Sequence, residues 1–203
     1  MINPIARGAA LVLACACVLG ACASKQRPRL NDRAEMITRS SQIAAAAQAA
    51  ERDGNLDRAI DLYREAANLN PDFGAAWNNL GTALMKRGKE TDRLAAQQAL
   101  QRAAAALPTD PTPYRNLGIL YQQLGYEEDA LRYFEQALEI APNDRDSLRG
   151  AIMAGKLLIR SDEAGLDRLR RAALVEADKD WQDLIRRERI RVENDLEEMD
   201  RQD

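Results

Sequence analysis

The stretch PTPYRNLGILYQQLGYEEDALRYFEQALEIAPND, residues 111–144, decides the fold. Tyr114, Leu117, Gly118 and Tyr121 fall at i, i+3, i+4 and i+7, one face of an α-helix. Gly125 then breaks the pattern, as glycine does where a helix ends in a left-handed cap. Ala130, Phe134 and Ala137 take up the same period on a second helix, and Pro142 stops it. The pattern recurs upstream. Residues 74–110 carry Trp77, Leu80, Gly81, Leu84, Gly88, Ala96, Leu100, Ala103 and Pro108, with three extra residues around Glu90–Leu94. Residues 40–73 carry Gly54, Ala59, Tyr63, Ala66 and Pro71, but Ile43, Ala46, Ala47 and Ala50 replace the bulky set of the first helix. From about residue 145, Leu148, Ile152, Leu158 and Ile159 keep a helical spacing without the glycines.

These typed positions resemble the tetratricopeptide repeat, with its period of 34 residues. The resemblance implies an all-α superhelix: repeats at 40–73, 74–110 and 111–144, a divergent helix pair at 145–178, and a charged capping helix at 179–203. Small residues are needed where two helices cross closely, so Gly81 and Gly118 are expected against Ala96 and Ala130. Tyr63, Trp77, Tyr114, Tyr121 and Phe134 read as packing between neighbouring pairs, not as ligand contacts. In residues 179–203 the stripe Trp181, Ile185, Val192, Leu196 and Met199 is interrupted by Glu188. A helix of that kind covers the open end of the stack, and its acidic last turns project or fray.

In this family the concave face is built mainly by the first helix of each pair. Here that places Asn78, Asn79, Thr82, Met85 and Lys86, then Arg115, Asn116, Ile119, Gln122 and Gln123, on the candidate partner-binding face. Asn79 and Asn116 each precede the signature glycine by two residues. That placement resembles the asparagine ladder of peptide-binding superhelices, because an amide can both donate to and accept from a peptide group. Asparagine also stands there in plain scaffold repeats, and Ala45 and Gly150 hold the neighbouring positions. The carboxylate clamp of chaperone adaptors does not match. Ala44, Gln48, Thr112 and Asn116 stand at four of its positions, and only Asn79 keeps the type.

The two ends differ in character. Arg7 precedes an uncharged apolar run at 9–21, short for a membrane span of ~20 residues and the right length for a signal-peptide core. Leu19-Gly20-Ala21-Cys22 resembles the lipobox of bacterial lipoproteins, which implies cleavage before Cys22 and its lipidation. Ala21-Cys22-Ala23 also fits ordinary secretion with cleavage after Ala23. Under the lipobox reading Cys15 and Cys17 leave with the signal, residues 1–21, and no cysteine pair remains. Residues 22–39 then form a polar, basic tether to the membrane. Since Ala23 and not an aspartate follows Cys22, the periplasmic face of the outer membrane is the expected location in the bacterial envelope.

Composition excludes several functions. The chain has 29 basic and 32 acidic residues and no histidine. A mildly acidic balance speaks against a nucleic-acid partner. Without histidine, the commonest general base and transition-metal ligand are missing. No cofactor, metal or small-molecule substrate is expected, and no catalytic constellation is found. The resemblance leaves two functions open. One is a scaffold supporting pilus or secretion assembly, like tight-adherence and type IV pilus lipoproteins. The other is an adaptor for peptidoglycan enzymes or outer-membrane protein assembly. In either, the partners are protein or extended peptide segments of envelope machinery, with the membrane reached through the lipid.

Overall fold

A computed structural model describes residues 30–202. Among them the chain forms α1 (Leu30–Arg52), α2 (Leu56–Leu69), α3 (Gly74–Arg87), α4 (Arg93–Ala106), α5 (Pro111–Gln123), α6 (Glu127–Ile140), α7 (Arg145–Leu157), α8 (Glu163–Val175) and α9 (Lys179–Asp200). Cys22, the signal segment and most of the tether lie outside these residues. No described helix is long and apolar enough to cross a membrane.

Many helix starts are written locally. Asn55, Asp110, Asp144, Asp162 and Asp178 accept from first-turn N–H groups of α2, α5, α7, α8 and α9, which those helices cannot satisfy themselves. The helices pack as sequence neighbours into a solenoid with one core running from α1 to α5 and a second from α6 to α9. Half-buried Tyr121 touches both cores. It stacks on Tyr133 at 5.2 Å and accepts from Gln97 Nε2 at 2.9 Å. Tyr63, Trp77 and Phe134 are buried as expected of packing residues, whereas Tyr114 and Tyr121 keep part of their surface. Trp77 donates from Nε1 to the Pro71 carbonyl at 2.9 Å and lies under the Arg102 guanidinium at 4.5 Å.

Several expectations need correction. Residues 30–39 are the opening turns of α1, so the segment read as a tether is helical from Leu30 onward. The buried face of α1 is Ser40, Ala44, Ala47 and Ala50, and Ala46 is exposed. The Ser40 hydroxyl donates to the Ala66 carbonyl at 3.0 Å and so satisfies itself inside the core. Gly118 faces Phe134, one turn beyond Ala130: a Cβ on Gly118 would lie 2.8 Å from two ring carbons. Gly81 lies against the Ala96 carbonyl as expected, where a Cβ would be 3.3 Å away, but its nearest neighbour is Leu100, at 2.5 Å. In α9 the stripe holds for Ile185 and Val192, with Leu196 packed at its edge, but Met199 is exposed. Glu188 is tolerated within it because Lys156 and Arg191 reach it at 3.2 and 3.0 Å.

Gly54, Gly88 and Gly125 close the turns inside the first three pairs with φ of 79°, 72° and 76°. Ile159 holds the same place in the fourth pair at φ 54°, while Leu158 is half-buried. A β-branched residue in this region costs roughly 1–2 kcal/mol, and Ile159 is 79% exposed, so packing returns little. In the monomer, Ile159→Gly is therefore expected to raise the unfolding free energy measured in urea, by up to ~1 kcal/mol after the added unfolded-state entropy is subtracted. A lower midpoint would mean that the side chain is held by contacts not seen in one chain.

The last pair is tied to α9 by charge. Arg149 donates from Nε and Nη2 to the two oxygens of buried Glu176, each at 2.7 Å, and stacks on Trp181 at 4.7 Å. With the backbone N–H of Asp178 also donating, the Glu176 carboxyl is held down at about 2. Its stabilisation is complete above the ordinary value of 4.5 and is lost as pH falls towards about 2. Wild-type urea midpoints should fall across that window. Glu176→Gln should start lower at neutral pH and fall less steeply. Equal slopes would show that the pair does not contribute.

Candidate binding face

Along the first helices α3 and α5, the side chains assigned to the concave face do different work. Asn116 donates from Nδ2 to Asn78 Oδ1 at 2.8 Å across the two helices. The pair that meets is thus Asn78 with Asn116, one position off the ladder register drawn through Asn79. Both are half-buried, and an amide has more donors and acceptors than one bond uses. Thr82 turns its hydroxyl back to the carbonyls of Asn78 and Asn79, at 3.1 and 3.0 Å, on its own helix. Arg115 donates to both oxygens of Asp144, at 3.0 and 3.1 Å, and so braces the N-cap of α7. Lys86 is exposed and reaches Glu51 at 3.2 Å, while Glu51 also accepts from the Tyr63 hydroxyl at 3.2 Å. Burial and the Glu51 charge together push the Tyr63 hydroxyl up to about 12. Ile119 and Met85 are half-buried against the two cores, Gln122 is half-buried and Gln123 is exposed.

The three-residue insertion builds a feature that the repeat pattern did not reveal. Residues 90–92 form a 3-10 turn ahead of α4. Arg87 fixes it with two 2.7 Å bonds to the buried Asp92 carboxylate, and spans to Asp57 at 2.6 Å. The Arg87 guanidinium holds the Asp92 carboxyl below the usual carboxylate range. Beside this turn a pocket of about 120 Å³ opens between the end of α3, the start of α4 and the end of α5. Leu84, Met85, Leu120 and Leu124 make its apolar floor, and Lys89 and Arg93 stand at its mouth. Met85, assigned from the sequence to the concave face, thus lines this pocket. The extra residues around Glu90–Leu94 were the available signal, but an insertion does not say which way its loop turns.

Two family models match segments of this geometry. One, a tetratricopeptide repeat, covers residues 111–144, the α5–α6 pair. The other, a TPR repeat, covers residues 52–88 and joins α2 to α3. Both segments are thus similar to tetratricopeptide repeats. A curated relative, the TPR repeat-containing protein PA4299 of Pseudomonas aeruginosa, is 41% identical over 86 residues, 42% of this chain and 34% of that protein. The chain spans between 12% and 34% of the length of the first four curated relatives it matches. Among solved structures, MamA superimposes with a TM-score of 0.59 at 21% identity, covering 71% of this chain and 76% of that one. The first TPR of Spaghetti (RPAP3), solved with the HSP90 peptide SRMEEVD, superimposes with a TM-score of 0.56 at 19% identity, covering 60% and 94%. At these identities the likeness establishes the fold. The fold is a helical solenoid of the tetratricopeptide-repeat kind.

Proposed function

We propose that this protein is a non-enzymatic, lipid-anchored scaffold of a bacterial envelope that holds an extended segment of a partner on its concave face, in support of pilus or secretion assembly. The contact that carries the reading is Asn116 to Asn78, which sets amide groups of two successive repeats side by side at 2.8 Å. Asn79 on α3 and Gln122 on α5 are further half-buried amides of the same two helices, and Ile119 and Met85 are half-buried apolar side chains on them. Such amides suit a peptide backbone, whose N–H and C=O groups need partners when desolvated. The repeat fold supports a peptide partner, and the Spaghetti structure is of a TPR with a peptide bound. The anchor rests on Leu19-Gly20-Ala21-Cys22.

Each amide lost from a desolvated contact should cost about 1–3 kcal/mol. Asn79→Ala with Asn116→Ala is thus expected to weaken partner binding about a hundredfold or more. Folding should hold, because Asn78 is half-exposed and water can replace its lost partner. Glu127 and Glu128 lie on the second helix α6, and their alanine variants should bind as wild type. The readout is co-purification from envelope extract, with circular dichroism as the folding control. A folded double mutant that retains every partner overturns the concave-face reading. The anchor is tested separately: the wild type should label with palmitate and enter detergent, and Cys22→Ser should do neither.

A further inference from the structure

One edge of the solenoid, made by the turns inside the second, third and fourth helix pairs, is unusually apolar. Leu94, Tyr126, Leu157 and Ile159 stand on it, each more than half exposed. The pocket between α3, α4 and α5 opens on the same edge, with Lys89 and Arg93 at its mouth. The end of α9 reaches this edge too. Arg191 meets the Arg160 carbonyl, and Asp195 meets Ser161, in the α7–α8 turn. At ~1.5 Å per residue α9 outruns α8, so its next turn continues past that turn. That overhanging turn exposes Glu197, Glu198, Met199 and Asp200.

We propose that a second copy of the chain covers this edge, in a two-fold dimer. The acidic end of α9 from each copy lies over the pocket of the other, with Met199 entering it. Three observations converge on this occupant. The pocket, about 120 Å³ with a floor of Leu84, Met85, Leu120 and Leu124, suits a flexible thioether side chain. Lys89 and Arg93, with the Asp92 carboxylate beside them taken up by Arg87, complement Glu197, Glu198 and Asp200. The bridges those charges already make, Lys89 to Asp57 at 3.8 Å, Arg93 to Glu90 at 3.4 Å and Arg201 to Glu197 at 3.1 Å, are exposed and exchange cheaply. Between pocket and helix end along the edge lie Tyr126, Leu157 and Ile159, which a two-fold axis there would bury against their own copies. That burial would offset the left-handed conformation of Ile159, which solvent exposure does not.

The test is sedimentation of the full chain in density-matched detergent, across a concentration series. The expected protein mass is twice that of one chain as it stands after any cleavage ahead of Cys22. Lys89→Glu with Arg93→Glu should weaken the dimer about a hundredfold or more, and so should Glu197→Lys with Glu198→Lys, since like charges then face each other. Mixed in equal amounts, the two variants should dimerise again, because each pocket then meets a helix end of opposite sign. All exchanged side chains are exposed, and circular dichroism should be unchanged. A wild type that stays monomeric, a dimer that ignores both double variants, or variants that fail to recover on mixing would each overturn the proposal.

Discussion

Gly118→Leu is expected to lower the folding free energy by about 3 kcal/mol, the upper end of ordinary overpacking. A Cβ alone would sit 2.8 Å from Cδ1 and Cε1 of Phe134. The ring has little room to retreat, because a Cβ at Gly150 would likewise lie 2.3 Å from its Cζ. Phe134 is therefore wedged between glycines of two successive first helices, and any added carbon must separate α5 from α6. Gln123→Ala, on the same helix but exposed, should stay within about 0.5 kcal/mol of wild type. Urea midpoints in the reverse order would show that the packing of the third repeat is not as described.

Phe134→Ala should cost more, about 3–5 kcal/mol. The ring is 1% exposed and joins α6 to both α5 and α7. Glycine on both sides leaves no side chain to swing into the space, so the cavity should persist and the loss should lie near the upper limit. The two variants must also couple. A leucine at 118 has room once the ring is gone, so Gly118→Leu with Phe134→Ala should be more stable than the sum of the single losses by ~1 kcal/mol or more. Strict additivity in denaturant unfolding would mean that the two positions do not touch.

Much of this was legible in residue types. The glycine–alanine–aromatic–proline pattern of 111–144 marked the helix pair, because each of those residues answers a local need: close approach, a left-handed cap, a helix stop. What the pattern left undetermined was which small residue meets which large one. Gly118 was expected against Ala130 and meets Phe134, one turn along the same face, since the axial register of two helices is not set by spacing within either one. Likewise, Asn116 meets Asn78 and not Asn79, and Arg115, read as a groove residue, is engaged by the N-cap of the following helix.

By itself, then, the sequence determined the repeat helices and their pairing, because those follow from spacing within a few turns. The fourth pair is the instructive case. Its glycine is replaced by Ile159, so the local signal was lost, yet the chain still turns there with positive φ because α7 and α8 bury Leu148, Ile152, Leu166 and Leu169 between them. Only the tertiary structure decided which side chains remain free. Thr82 and Arg115 bond within the scaffold, the insertion after α3 folds over a pocket, and Met199 lies beyond the last partner of α9. Each of these depends on contacts between residues far apart in the chain, and no local period records them.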